Sequence, residues 1–217
     1  MPNPNRSIAE LRQEYGNRAL EAERLADDPI EQFSEWFNEA LQADVPEPNA
    51  MTLATVTTTG QPTTRVVLMK GFDAAGFVFY SNYDSAKASD LAANPRAALN
   101  FFWVAIHRQV KILGTTSKVS AAESDEYFAS RPRGSQLGAW ASTQSAPIAE
   151  RRILEARLAE LEAHFAEQTV PRPAHWGGYR VEPQCIEFWQ GRANRLHDRF
   201  EYRRTPEGVW RVQRLAP

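Results

Sequence analysis

Met51-Thr52-Leu53-Ala54-Thr55-Val56-Thr57-Thr58 is followed by the turn Thr59-Gly60-Gln61-Pro62, then by Thr63-Thr64-Arg65-Val66-Val67-Leu68-Met69-Lys70, the turn Asp73-Ala74-Ala75-Gly76, and Phe77-Val78-Phe79-Tyr80-Ser81. β-Branched and aromatic residues recur here with a period of two, and glycine and proline punctuate the runs at hairpin distance. Three antiparallel strands in a meander are predicted. Further strands are predicted over residues 97–104, 108–119, 178–181, 186–190, 196–203 and 209–214. Strands outnumber helices and no βαβ alternation occurs, so the expected fold is mainly β, a barrel with peripheral α-helices.

The helices have their own signals. Asp27-Asp28-Pro29 opens one, with Ile30, Phe33, Phe37, Ala40 and Leu41 on a single stripe. A short helix over residues 85–93 stops before Asn94-Pro95, and another over residues 121–129 is ended by Pro132. Ser145-Ala146-Pro147 is read as the start of the longest helix, reaching residue 167 and burying Ile148, Ile153, Leu154, Leu158, Leu161 and Phe165. The first residues are charged and weakly periodic. They predict an N-terminal arm or lid over residues 1–26, ordered only against something else, in front of a single domain over residues 27–217.

A net charge of −2 argues against a general nucleic-acid binder, so any cationic site is local. One cysteine, Cys185, excludes an intramolecular disulfide, and the four scattered histidines lack metal-ligand spacing, so no metal is expected. No uncharged run approaches the roughly 18 residues of a membrane span, and the chain is read as cytoplasmic.

Several segments carry polar or cationic residues where barrel strands ordinarily do not. Arg65 and Lys70 bound an apolar strand five residues apart, an odd spacing that aims them at opposite faces: strand-end charges reaching solvent, or contacts to one ligand lying along a strand end or to two adjacent bound groups. Tyr80, Ser81 and Lys87 gather at a helix start, which is either an ordinary cap or an anion site. Gln109 places an amide within a strand, with the donor and acceptor a pyrimidine edge would use. Tyr127, Arg131-Pro132-Arg133-Gly134-Ser135 and Gln144-Ser145 form a second possible phosphate clasp, or a basic turn. In Arg195-Leu196-His197-Asp198-Arg199 an extended strand would project Arg195, His197 and Arg199 from one face as a cationic comb in need of an anion, a carboxylate or solvent. These segments hold more phosphate-type donors than one monoester needs, and no glycine-rich nucleotide loop or Ser-His-Asp arrangement accompanies them.

With these residues in view, nearly the whole chain resembles the pyridoxine/pyridoxamine 5'-phosphate oxidase family. The most specific segments are the strand from Arg65 to Lys70, Ser130-Arg131-Pro132 with Ser135-Gln136-Leu137-Gly138-Ala139-Trp140-Ala141-Ser142, and the block from Ile186 to Arg199. The resemblance implies a homodimeric split β-barrel with FMN in the subunit interface. It implies FMN contacts from Arg65, Val66, Val67, Leu68, Met69, Lys70, Tyr80, Ser81, Lys87, Gln109, Gln144, Ser145, Trp189 and Arg199. It assigns the substrate phosphate to Lys70, Tyr127, Arg131 and Ser135, places Arg195 and His197 beside the pyridine ring as the catalytic pair, and lets the segment with Arg12 and Tyr15 fold over the substrate. The implied reaction is oxidation of pyridoxamine or pyridoxine 5'-phosphate at C4', with O2 reoxidising the flavin to give H2O2.

Two departures stand out. Ala86 replaces an arginine usual in the family beside the phosphate-binding lysine, which predicts a loosely held flavin. His107 replaces a usual glutamate before Arg108-Gln109-Val110, which predicts an unpaired arginine nearby. Alternatives are another flavoprotein on the same barrel reducing a different substrate, and a non-catalytic binder of FMN or pyridoxal phosphate. The complete substrate-side set argues against the first of these.

Overall fold

A computed structural model describes Tyr15 and residues 18–217. Most of the expected arm, Arg12 included, lies outside the described residues. The chain divides into two compact units, one of Met1–Pro48, Phe101–Lys111 and Cys185–Pro217, the other of Asn49–Asn100 and Ile112–Gln184.

The second unit carries the barrel. It holds β1 (Ala50–Val56), β2 (Pro62–Asp73) and β3 (Gly76–Asn82) whole, with residues 96–100 of β4 (Arg96–Trp103), residues 112–118 of β5 (Arg108–Lys118) and residues 176–184 of β6 (Trp176–Gln190). The strand order is β3-β2-β1-β4-β5-β6, and β3 also pairs with β6, closing the sheet on itself. The meander is antiparallel, Thr55 facing Thr63 and Phe72 facing Phe77, and closure runs from Phe77↔Val181 to Asn82↔Trp176. Alternation along β1 and β4 buries Met51, Leu53, Leu99 and Ala97, while β3 is buried almost throughout. The helices of this unit are α2 (Ala86–Ala93), α3 (Ala121–Ser130), α4 (Arg133–Ala141) and α5 (Arg151–His164). Phe128, Leu137, Phe165, Val170 and Trp176 form a second core cluster, with Leu158 and Leu161 packed on it.

The first unit holds α1 (Pro29–Gln42), residues 185–190 of β6, β7 (Asp198–Arg204) and β8 (Trp210–Leu215). Asp28 caps α1 by accepting from the Ile30 N–H at 2.6 Å, and Pro29 presets its first turn. Phe33 and Trp36 are buried against Phe101, Trp103 and Phe188. The strands pair antiparallel, with Gln190 opposite Asp198 and Arg204 opposite Trp210.

The molecule is thus mainly β with peripheral helices, a split barrel, as the sequence implies. Four elements differ from expectation. Residues 178–181 and 186–190 belong to one strand, β6. Residues 133–141 form a helix, α4, in place of a turn. The stripe of α1 is Gln32, Phe33, Trp36 and Ala40, leaving Leu41 exposed. α5 begins at Arg151, buries no residue fully, and leaves Ile148 and Ile153 about half exposed. Among the described residues no helix is long and apolar enough to cross a membrane, and no three His, Cys, Asp or Glu side chains gather as metal ligands.

Candidate active site

A cavity of about 490 Å³ opens in the barrel unit. β2 contributes Val66, Leu68 and Lys70 from its exposed face, with Val67 also lining the space. The register of β2 against β3 shifts between Met69 and Gly71, so Lys70 is the extra residue of a bulge, a device that re-aims a side chain. β3 contributes Tyr80, Ser81 and Asn82, α2 contributes Lys87, and Gln144 and Ser142 come from the segment after α4. Tyr127 and Arg131 from the end of α3, Ser135 from the first turn of α4, and Trp176 at the start of β6 complete it.

Lys87 is held by neutral oxygens. Its Nζ donates to Gln144 Oε1 at 2.8 Å and to Ser81 and Ser85 Oγ at 3.1 Å each. Burial, then the charge of Arg65, lowers its pKa. Arg65 does not line the cavity. Its Nη atoms donate to Thr55 Oγ1 at 2.6 Å and Thr63 Oγ1 at 2.7 Å, and both hydroxyls donate in turn to Asp90, whose carboxylate lies 3.8 Å from the guanidinium. Burial lowers the Arg65 pKa, and Asp90 only partly offsets this. Ser145 is near the cavity lining in sequence but has φ +74°, and its Oγ accepts from the Ala86 N–H at 3.2 Å, at the first turn of α2.

Arg131 differs in kind. Pro132 forces it into extended backbone (φ −74°, ψ 147°) at the end of α3. Its guanidinium lies 4.5 Å over the Trp176 ring and 5.6 Å from Phe128. Its Nη1 is buried with no hydrogen-bond partner, and among the described residues no carboxylate pairs with it. Desolvation lowers its pKa. Tyr80 stacks on Tyr127 at 4.0 Å and lies nearly parallel to Trp176 at 5.4 Å. Burial pushes the Tyr80 hydroxyl up to about 12, so it stays protonated. Gly178 makes this stacking possible, because a Cβ there would come within 2.9 Å of the Tyr80 ring.

The remaining expected residues lie in the first unit. Arg195 sits not in a strand but in a 3-10 turn (Ala193–Arg195) with φ +60°, and β7 begins only at Asp198, so the three-pronged comb does not form. Arg199 meets a carboxylate, donating from Nε to Glu187 at 2.8 Å, and Lys111 bonds the same side chain. Burial works against ionisation of Glu187, but these hydrogen bonds outweigh it and hold its pKa below the usual range. His197 Nδ1 accepts from the Arg192 N–H at 3.1 Å, which puts the proton of a neutral ring on Nε2, and burial and Arg195 lower its pKa. Tyr15 packs edge-on to His107, Trp189 and His197, and the Trp189 ring lies 4.6 Å from His197. Gln109 is half-buried on β5, and Met69 is buried in the barrel. The arginine beside His107 is not left unpaired. Arg108 lies 4.1 Å over Trp36, donates to Gln190 at 2.9 Å and sits 3.0 Å from Glu39, although that Nη1 contact is off the hydrogen-bond direction.

Asn82, Ser142 and Trp176 were not expected at the cavity. The run Trp176-Gly177-Gly178 held a signal, since adjacent glycines beside an aromatic mark close approach of another group.

A closed antiparallel barrel with a cationic cavity of this composition defines the class of FMN-binding split barrels. Residues 37–165 match the family model "Pyridoxamine 5'-phosphate oxidase", and residues 176–217 match "Pyridoxine 5'-phosphate oxidase C-terminal dimerisation region". The chain belongs to the pyridoxamine 5'-phosphate oxidase family. It is 57% identical over 210 residues to the pyridoxine/pyridoxamine 5'-phosphate oxidase of Cupriavidus metallidurans, covering 97% of this chain and 99% of that one. It is also 57% identical over 212 residues to that of Rubrobacter xylanophilus, covering 98% and 97%. Among solved structures it resembles PhzG from Burkholderia lata in complex with tetrahydrophenazine-1-carboxylic acid, with TM-score 0.86, 31% identity, and coverage of 92% of this chain and 98% of that one. A pyridoxamine 5'-phosphate oxidase-related FMN binding protein from Nostoc punctiforme, at TM-score 0.70 and 16% identity with coverage of 89% and 100%, shares the fold.

Proposed function

We propose that this protein oxidises pyridoxamine 5'-phosphate, and pyridoxine 5'-phosphate, to pyridoxal 5'-phosphate, with FMN as cofactor and O2 as acceptor, releasing H2O2 and, from the amine, ammonia. The observation that carries the reading is Arg131, a cation that lines the same cavity as Lys87 and whose Nη1 is buried with no hydrogen-bond partner among the described residues. One cation suits the phosphate of FMN and the other that of the substrate. The named relatives at 57% identity support the same reading.

The donor set fits FMN. Lys87, Ser81 and Gln144 would hold its phosphate, with Arg65 adding charge from behind its threonine cradle and Ser145 steadying the start of α2. Residues 66–70, Tyr80, Gln109, Trp189 and Arg199 are assigned to the rest of the cofactor, which lies in the interface of a homodimer. When bound, FMN would supply the redox chemistry, accepting a hydride from C4' and delivering the electrons to O2. The protein's own part is positioning. Lys70, Tyr127, Arg131 and Ser135 fix the substrate phosphate. Arg195 and His197 hold the ring, His197 through a neutral Nε2–H whose orientation the Arg192 amide sets. Arg12 and Tyr15 belong to a lid over the substrate, and the enzyme works in the cytoplasm.

The test is the visible spectrum of the FMN-loaded protein without oxygen, before and after pyridoxamine 5'-phosphate. Bleaching of the flavin band that returns in air is expected. An unchanged spectrum with FMN shown to be bound would overturn the proposal.

A further inference from the structure

Arg131 carries the substrate phosphate in the reading above, and the following rests on that reading. A guanidinium is planar, with donors only around its edge, so whatever fixes its plane fixes where it can bind an anion. Among the described residues no carboxylate or carbonyl oxygen bonds the Arg131 side chain to fix it. Its guanidinium lies over the faces of Trp176 at 4.5 Å and Phe128 at 5.6 Å. Stacking covers a face and leaves the edge free, which is how Nη1 stays buried and without a partner.

Trp176 is itself firmly held. It is 7% exposed and pairs with Asn82 across the β3–β6 closure. Its carbonyl accepts from Arg172 Nη1 at 2.7 Å, and Arg172 is also tied to Asp125 at 2.6 Å. Its ring meets Phe128 edge-on at 5.2 Å and lies parallel to Tyr80, with an interplanar angle of 11°. The indole also lines the cavity.

We propose that Trp176 is a positioning residue for substrate: it sets the plane of the Arg131 guanidinium so that the donor edge of this cavity-lining side chain is presented to the substrate phosphate, and thereby makes the site select a phosphorylated pyridine over its unphosphorylated counterpart. Trp176 acts through Arg131 and not on the reacting carbon. A tryptophan that merely filled the core would lower stability and weaken every ligand alike.

The test is a double-substitution cycle on the FMN-loaded enzyme, with pyridoxamine 5'-phosphate and pyridoxamine as substrates. Trp176→Leu should raise KM for the phosphorylated substrate about tenfold, the scale of a desolvated cation–π contact, with kcat nearly unchanged. KM for pyridoxamine should stay within about twofold, and in an Arg131→Ala background Trp176→Leu should change KM for the phosphorylated substrate by less than about twofold. Trp176→Phe keeps a stacking face and should restore most of the loss. Equal effects in the two backgrounds, or equal effects on the two substrates, would overturn the proposal. If thermal melting shows that the leucine variant is unfolded, the same cycle with Trp176→Phe decides, with an effect of about threefold expected only where Arg131 is present. A wild-type enzyme that never oxidises pyridoxamine 5'-phosphate would instead sink the functional reading.

Discussion

Lys87 and Arg131 line one cavity, yet their surroundings are opposite in kind. Lys87 gives its protons to three neutral oxygens, whereas Arg131 rests on aromatic faces with one buried donor left over. A phosphate that meets Lys87 must exchange for bonds already made, so its net gain is modest. One that meets Arg131 relieves a buried, unsatisfied donor, a penalty of about 1–3 kcal/mol in its own right. Two cations of equal formal charge thus differ in binding worth because of what each does beforehand.

The largest expected effect follows from that difference. Arg131→Ala should cost about 3 kcal/mol of substrate binding, a rise in KM for pyridoxamine 5'-phosphate of about a hundredfold, measured by steady-state kinetics with saturating FMN. Lys87→Ala should weaken FMN by about 1.5–2 kcal/mol, read from flavin fluorescence on titration; a larger loss than Arg131→Ala inflicts on substrate would reverse the comparison. Ala86→Arg adds a cation at the exposed first turn of α2 and should tighten FMN about tenfold; an unchanged dissociation constant would mean that the Lys87 cluster already satisfies the phosphate. The smallest effect is a slope. The Lys87 pKa is lowered by burial and by Arg65, and FMN binding requires the protonated amine, so affinity should fall as pH rises, beginning below the usual lysine range. A Lys87→Arg variant should lack that fall, and a matching fall in the variant would assign it to the flavin instead.

The barrel was legible because β1, β2 and β3 alternate and their turns carry Gly60, Pro62 and Gly76. β6 looks like two strands in the sequence because Glu182-Pro183-Gln184 interrupts it. Pro183 is tolerated because it falls between two partnerships, β3 pairing up to Val181 and β7 from Cys185. α4 is hidden in the sequence because Pro132 and Gly134 have turn character, although proline ahead of a first helical turn is compatible with a helix start. Ser145 has the residue type that opens a helix, yet its hydroxyl serves α2 and not α5, a tertiary use that local sequence does not reveal. Of the site, the cations were legible as residue types. What each cation touches was not, because Thr55 and Asp90 around Arg65, and Trp176 under Arg131, are distant in sequence.

The closure of β3 on β6 has a consequence for the order of assembly. Phe77 and Val181 are about a hundred residues apart, and a contact of that span pays its loop entropy before anything rewards it, so it belongs to the slow part of folding. Tyr80 and Trp176 sit on those same two strands, and their ring stack exists only once the strands have met. Arg131 and Ser135, by contrast, lie four residues apart around Pro132 and can be in place early. A refolding chain therefore acquires its arginine before the platform beneath it, and the capture of phosphorylated ligand reports the moment at which the barrel shuts.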